Sequence, residues 1–394
     1  MTTLRSVRPV LSALAALAVS GGWLAVALSS VNPSVDNAKS CVQAAAVGDR
    51  RAEAEPCVRA LTDKVARNPY DGSALAALAR AKSAGGDGRA AEAFAKQAVA
   101  VDGANRLALT QLFATALLER NDALAIDCLD RLLRTAPELG PDLAFQVAQR
   151  LDQPALRTAL TRRLHRDPPW KDAFVLRLAQ TARAGDLSAL LFTMAADKPG
   201  LPDPALTPVL QRLLRGGHIA SLKAYFAKAR TGGPRRAGEL VRDPGFDQDP
   251  ATTALGWAID SAPGAQVRYY GATGSDSGGL ALQSDLFSSS RPLVSQLIFG
   301  DRGRVQVEVV ARAAGAGNSG DFEVALRCER GAALGRRPID VGQTEWTASR
   351  ASFDVPENCP VQILAIVARN SDIRSSAAVE IDSISARNMT GPAS

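Results

Sequence analysis

Histidine and aromatic residues are scarce in this chain, and both shortages narrow what it can do. Two histidines, His165 and His218, serve 394 residues. Neither lies in a His-x-x-x-His spacing, which excludes a histidine-built metal site. His165 belongs to the charged run Arg162–Arg166, and His218 falls at a helix–helix turn. No nucleophile-elbow motif stands ready to use either one, so Ser-His-Asp chemistry is not expected. The Gly/Ser-rich stretch 271–279 lacks the lysine and the following helix of a phosphate loop. Paired carboxylates of the glycosidase kind are not legible, because such residues lie far apart in a chain. The reading is a protein with no catalytic residue, no metal and no cofactor. Asp243, Asp247 and Asp249 could gather round a cation, but a solvated acidic linker is the preferred account of them.

Aromatics make up 5% of the sequence. Basic residues form no long run and do not interleave with aromatics, which argues against nucleic acid. The net charge of +6 is unevenly spread. Residues 37–236 carry roughly +10 and residues 237–394 roughly −5. An acidic partner, such as an anionic polysaccharide or a lipid surface, would suit the first half. A plain solvated surface is the simpler reading.

What is present begins at the N-terminus. Arg5 and Arg8 precede an uncharged stretch from Pro9 to Val35, apolar from Val10 to Leu28. A bilayer core needs ~20 such residues in a helix. The flanking arginines put residues 1–9 in the cytoplasm and a single transmembrane signal anchor over 10–29. The bulk of the chain is then periplasmic, held at the inner membrane. Ala25-Val26-Ala27 also fits a cleavage site, but a signal-peptide core is usually ~7–15 residues, shorter than this one.

Five cysteines suit an oxidising compartment. Cys41 and Cys57 flank a turn at Gly48-Asp49-Arg50 and should face each other in a helical hairpin. Cys328 and Cys359 flank strands and form the second expected bridge. Cys128 is left over on an apolar helix, where it reads as a small buried hydrophobe.

From 68 to 137 the sequence repeats itself. Asn68-Pro69, Gly103-Ala104 and Ala136-Pro137 recur at close to a 34-residue period. Leu75, Leu78 and Ala79 share a helix face, Gly86-Asp87 turns, and Ala91 and Ala98 follow on a second helix. Leu109, Leu112, Phe113, Ala125 and Leu132 take the same places in the next unit. A preceding unit fits 38–69. Gly185-Asp186 and Gly217-His218 mark turns of weaker units up to about residue 230. After Thr231-Gly232-Gly233-Pro234 the period becomes two. Nine strand-like runs follow: 255–259, 267–270, 280–283, 293–299, 305–311, 322–328, 345–353, 361–367 and 379–385. Such spacing predicts an all-β sandwich.

The 68–137 units resemble the tetratricopeptide repeat family. Trp257, Gly279-Leu280-Ala281-Leu282, Gln296, Trp346 with Phe353, and Val379-Glu380-Ile381-Asp382-Ser383-Ile384 resemble a jelly roll of the galactose-binding or carbohydrate-binding-module type. The organisation expected is a repeat domain over 36–230, a linker over 231–240, a β-sandwich over 241–388 and a tail over 389–394. The repeat resemblance implies a groove that binds a protein partner through first-helix residues such as Arg80, Ser83, Thr110, Gln111 and Ala114. The sandwich resemblance implies glycan contact through exposed aromatics. Tyr269 and Tyr270 are adjacent, so one faces in and one out. Tyr270 and Phe287 are the candidate contacts, while Trp257 and Trp346 read as core residues. The combination is similar to bacterial membrane proteins encoded beside exopolysaccharide genes. It implies a non-enzymatic, membrane-anchored scaffold or adaptor, or else a carbohydrate-binding module on a helical stalk.

Overall fold

The computed structural model describes residues 38–50, 55–197, 203–228, 238–249, 254–259, 265–270, 278–284, 292–314, 322–341, 345–368 and 377–389. The expected anchor over 10–29, most of the 231–240 linker and Phe287 lie outside them. Among the described residues, no helix is long and apolar enough to cross a membrane. Contacts divide the chain into two compact units, Met1–Thr135 and Ala136–Ser394.

The first unit holds six helices: α1 (Ala38–Ala46), α2 (Glu55–Arg67), α3 (Gly72–Ala84), α4 (Gly88–Val101), α5 (Arg106–Leu118) and α6 (Asp122–Thr135). Each helix from α3 to α6 opens on a side chain that accepts a backbone N–H three residues on. Asp71 takes Ala74 at 2.9 Å, Asp87 takes Ala90 at 3.2 Å, Asn105 takes Ala108 at 3.1 Å and Asn121 takes Leu124 at 3.3 Å. Such caps satisfy N–H groups that have no partner within the helix. The second pair of caps follows the first by about 34 residues, the period read from the sequence. Helices α3 and α4 pack together, with Ala91, Ala95 and Ala98 of α4 buried, while Ala74 and Ala77 of α3 are buried against α1 and α2. The Cys41–Cys57 bridge spans 5.5 Å between Cα atoms and packs with Leu61 and Leu78. Cys128 is buried, and burial pushes its thiol up to about 11.

The second unit opens with six more helices: α7 (Gly140–Ala148), α8 (Pro154–Leu164), α9 (Lys171–Thr181), α10 (Ala184–Asp197), α11 (Thr207–Arg215) and α12 (Ile219–Lys228). Alternate helices stack, α7 on α9 on α11 and α8 on α10 on α12. Gly217, at φ 76°, makes the turn into α12. Gly185-Asp186 does not form the expected turn: it sits in the first turn of α10. Lys171 is buried and donates to Asp167 at 2.9 Å and to Asp203. Burial alone would lower its pKa, but the two carboxylates outweigh that and raise it.

The sandwich has ten strands: β1 (Ala258–Ile259), β2 (Ala265–Tyr270), β3 (Gly279–Ser284), β4 (Pro292–Ile298), β5 (Gly303–Ala313), β6 (Phe322–Cys328), β7 (Ala333–Pro338), β8 (Thr347–Val355), β9 (Gln362–Ala368) and β10 (Ala377–Asn388). They form two antiparallel five-stranded sheets, ordered β1-β4-β9-β6-β7 and β2-β3-β10-β5-β8. Alternate residues interleave between the sheets. Val294, Phe322, Val324, Leu364 and Ile366 come from one, and Leu280, Leu282, Val305, Val307, Val309 and Ile381 from the other. The Cys328–Cys359 bridge joins the end of β6 to the turn before β9, with 5.5 Å between Cα atoms. All nine expected strand runs contain strand. β7 was not expected: it is an exposed edge with little apolar alternation, and Gly335 stands at φ 145°. Edge strands bury one side poorly, so period-two burial leaves little mark on them.

The first sheet is not free on its outer side. Ala365 and Val367 point away from the sandwich core and are still buried. The last helices dock beside this sheet. Phe226 of α12 stacks on Phe299 at 5.3 Å. Arg242 is buried, lies 4.5 Å over the Phe226 ring, and donates to the carbonyls of Leu255 and Leu297. Lys223 donates to Asp301 at 2.7 Å and to the Gly300 carbonyl at 3.2 Å.

Candidate functional site

The outer face of the second sheet carries the chemistry. Strand alternation sets which residues reach it. Because Leu280, Leu282, Val309, Ala311, Ala351, Phe353, Val379 and Ile381 point inward, their neighbours point out. Reading across the sheet, Arg268 pairs with Ala281, Ala281 with Glu380, and Glu380 with Arg312. Trp346 stands just before β8, one position beyond the Ala311–Thr347 pair. These residues therefore form one row that crosses all five strands.

Aromatic rings occupy both ends of this face. Tyr270, on β2, is 40% exposed and Trp346 is 42% exposed. The Tyr270 ring lies over Gly279, its cross-strand partner: a Cβ there would meet Tyr270 Cε2 at 2.6 Å and the Ile381 carbonyl at 3.1 Å. Glycine thus makes room for the ring to lean inward across β3. Trp346 leans inward from the other edge, since the guanidinium of Arg312 sits 4.5 Å from its ring centroid. The same guanidinium donates to Glu380 Oε2 at 2.6 Å, on the central strand. Tyr270 and Trp346 begin on opposite edge strands, about 19 Å apart at ~4.8 Å per strand step. Burial raises the Tyr270 pKa, and the charge of Glu380 raises it further.

Ion pairs pave the rest of the face. Arg350 meets Glu308 at 2.5 Å, and Arg304 meets Asp354 at 3.6 Å, each across one strand pair. Such exposed pairs add little stability. They extend the polar floor along β5 and β8, away from the row that carries Trp346. A floor of carboxylates and guanidiniums offers acceptors and donors to hydroxyl groups. Exposed ring faces, negative at their centres, suit weakly positive C–H surfaces.

The site corrects one sequence reading. Trp257 is buried as expected, donating Nε1–H to the Asp243 carbonyl at 2.9 Å. Trp346 is not a core residue. The signal was in the parity: Phe353 is inward, an odd number of positions away on the same strand run, so Trp346 must face out. Tyr269 packs against the core and Tyr270 faces solvent, one in and one out. Arg312 and Glu380, which hold the face together, were not singled out, because cross-strand register is invisible in one sequence.

The other candidates lie elsewhere. Ser83 and Gln111 come together: the Gln111 amide donates to Ser83 Oγ at 2.9 Å, joining α3 to α5. Thr110 is exposed beside them and Ala114 half-buried. Arg80 is half-buried on α3, and its Nε has no hydrogen-bond partner. The Asp243 carboxylate accepts the backbone N–H of Asp247 at 2.9 Å and of Gln248 at 3.1 Å, so it folds its own loop. Among the described residues, no group of three or more His, Cys, Asp or Glu is arranged to hold a metal ion.

No protein-family model matches the chain, and no curated protein matches it. Among solved structures, the chain is similar to carbohydrate-binding modules. The CBM22-1 xylan-binding domain from Paenibacillus barcinonensis Xyn10C matches at 12% identity and a TM-score of 0.28, over 39% of this chain and 97% of that one. A CBM4 structure matches at 14% identity and a TM-score of 0.30, over 38% and 99%. TmCBM61 in complex with β-1,4-galactotriose matches at 12% identity and a TM-score of 0.25, over 38% and 99%. Likeness at this level assigns no residue and no ligand to this chain.

Proposed function

We propose that this protein is a non-enzymatic glycan-contacting protein, held outside the cytoplasm by its N-terminal apolar segment, with the outer face of β2-β3-β10-β5-β8 as the contact surface. One observation carries the reading. Tyr270 and Trp346 expose their rings on the same face, one either side of the Arg312–Glu380 pair. A sugar chain laid across the strands would stack a ring at each end. Its hydroxyls would meet Glu380 and Arg312 between. The carboxylates of Glu308 and Glu380 are each already bonded to an arginine, which suits binding better than proton transfer. The apolar run Val10–Leu28, behind Arg5 and Arg8, supports a single-pass inner-membrane anchor with the bulk in the periplasm.

The test is affinity electrophoresis of the full chain through gels containing polysaccharide extracted from the source organism's envelope. Retardation is expected. Trp346→Ala should weaken it about tenfold, a loss of ~1.4 kcal/mol. Trp346 is exposed, so its removal should leave the fold intact. Equal retardation of the variant would reject this face as the site.

A second reading is a scaffold or adaptor in exopolysaccharide production or export, holding a protein partner on the α3–α5 surface. The regular ~34-residue caps favour a repeat of the tetratricopeptide kind there. A partner captured by the full chain and lost on Thr110→Arg would favour it over a purely glycan-binding role.

A further inference from the structure

A second charged surface lies in the same unit, on the first sheet rather than the second. Arg212 and Arg215 occupy the last turn of α11, three positions apart and so on one helix side. Arg327 lies one residue before the end of β6, Arg330 stands in the β6–β7 turn, and Arg336 lies on β7. The fold joins the two groups: Arg330 Nη2 donates to the Arg215 carbonyl at 3.2 Å, across 115 residues of sequence. Register places Arg336 opposite Ala325, on the outward side of the first sheet, beside Arg327. All five arginines are exposed.

Few acids balance them. Glu329 pairs with Arg330 at 3.2 Å, and Glu323 is buried on the neighbouring stretch of β6. Arg212, Arg215, Arg327 and Arg336 form no ion pair among the described residues. Single arginines here have structural explanations. Cations favour a helix C-terminus, and charge on an edge strand discourages pairing with another sheet. Neither explains why the helix end and the strand edge are brought together with the same sign, when residues 237–394 as a whole carry roughly −5.

We propose that this junction is a binding surface for an acidic, carboxylate-bearing polysaccharide. Guanidinium groups match carboxylates in a two-pronged geometry that ammonium groups lack. The arginines extend from α11 along β6 and β7, which suits a linear polyanion better than a single small ion. A bilayer surface fits less well: none of the exposed large apolar residues lies on α11, β6 or β7, so nothing is placed to insert. This surface is separate from the Tyr270–Trp346 face, and each can fail without the other.

The experiment measures binding of the full chain to polygalacturonate, to dextran, and to vesicles containing phosphatidylglycerol, at about 0.1 M salt. Polygalacturonate should bind saturably, dextran should not compete at this surface, and added salt should weaken the interaction. Arg327→Glu with Arg336→Glu should reduce polygalacturonate affinity at least about tenfold, while Arg327→Lys with Arg336→Lys keeps most of it. Trp346→Ala should leave it unchanged. Thermal unfolding of each variant checks that the fold survives. The proposal is overturned if polygalacturonate does not bind, if the glutamate variant binds as well as the parent while folded, or if vesicles bind more tightly than polygalacturonate.

Discussion

At the scale of the residue, the candidate face depends on what is small as much as on what is large. Tyr270 reaches across β3 because Gly279 has no side chain. Gly279→Ala would drive a methyl into a rigid ring and against the Ile381 carbonyl. Overpacking of that kind costs about 1–3 kcal/mol. The expected outcome is a lower urea midpoint together with weaker glycan binding, as the ring is displaced from the face. An unchanged midpoint and unchanged binding would mean that Tyr270 stands clear of Gly279. Sequence reading reached Tyr270 through simple alternation. It missed Trp346 by treating every tryptophan in an apolar setting as core, although the parity of Trp346 and Phe353 was already on the strand. Arg312 and Glu380 could not be found that way. They are 68 residues apart, and only the pairing of β10 with β5 makes them partners.

At the scale of the element, local chemistry was well expressed in the sequence and long-range pairing was not. The Gly86-Asp87 turn was legible, whereas the caps Asp71, Asn105 and Asn121, which act on N–H groups three residues away, were not singled out. Asn105 does more than cap: its Nδ2 also donates to the Gly72 carbonyl at 3.2 Å, tying one hairpin to the next. Asn105→Ala should therefore cost more than a cap alone, about 1–2 kcal/mol. Asn121→Ala, whose cap bond stays within its own helix turn, gives the comparison. Hydrogen exchange should show faster opening of α3 and α5 in the first variant than in the second, and equal effects would argue that the Gly72 bond is idle. The cysteine pairs were legible for the same local reason, one across a hairpin turn and one beside strand ends. Strand β7 was not, since its residues are exposed on an edge and carry no apolar rhythm.

At the scale of the whole molecule, a change of period from helix to strand at 231–240 suggested a boundary between helices and sheets. Contacts group α7–α12 with the sandwich in one unit, Ala136–Ser394. Phe226, Lys223 and Arg242 explain why: an aromatic stack, an ion pair and a buried guanidinium join α12 to the first sheet. No sequence pattern announces such a joint. A fragment of residues 136–394 should unfold at a higher temperature than one of residues 238–394, in which Phe299 and Arg242 lose Phe226. Equal midpoints would show that the sandwich owes nothing to α12. The same joint covers Ala365 and Val367 on the outer side of the first sheet.

The central claim is that Tyr270 and Trp346 act on one glycan chain. Calorimetric titration of the full chain with envelope polysaccharide from the source organism tests it most directly, using Tyr270→Ala, Trp346→Ala and the double variant. Each single variant should weaken binding about tenfold, and the double variant should abolish measurable heat while its thermal midpoint stays near that of the parent. Saturable binding that all three folded variants retain at full strength would contradict the account.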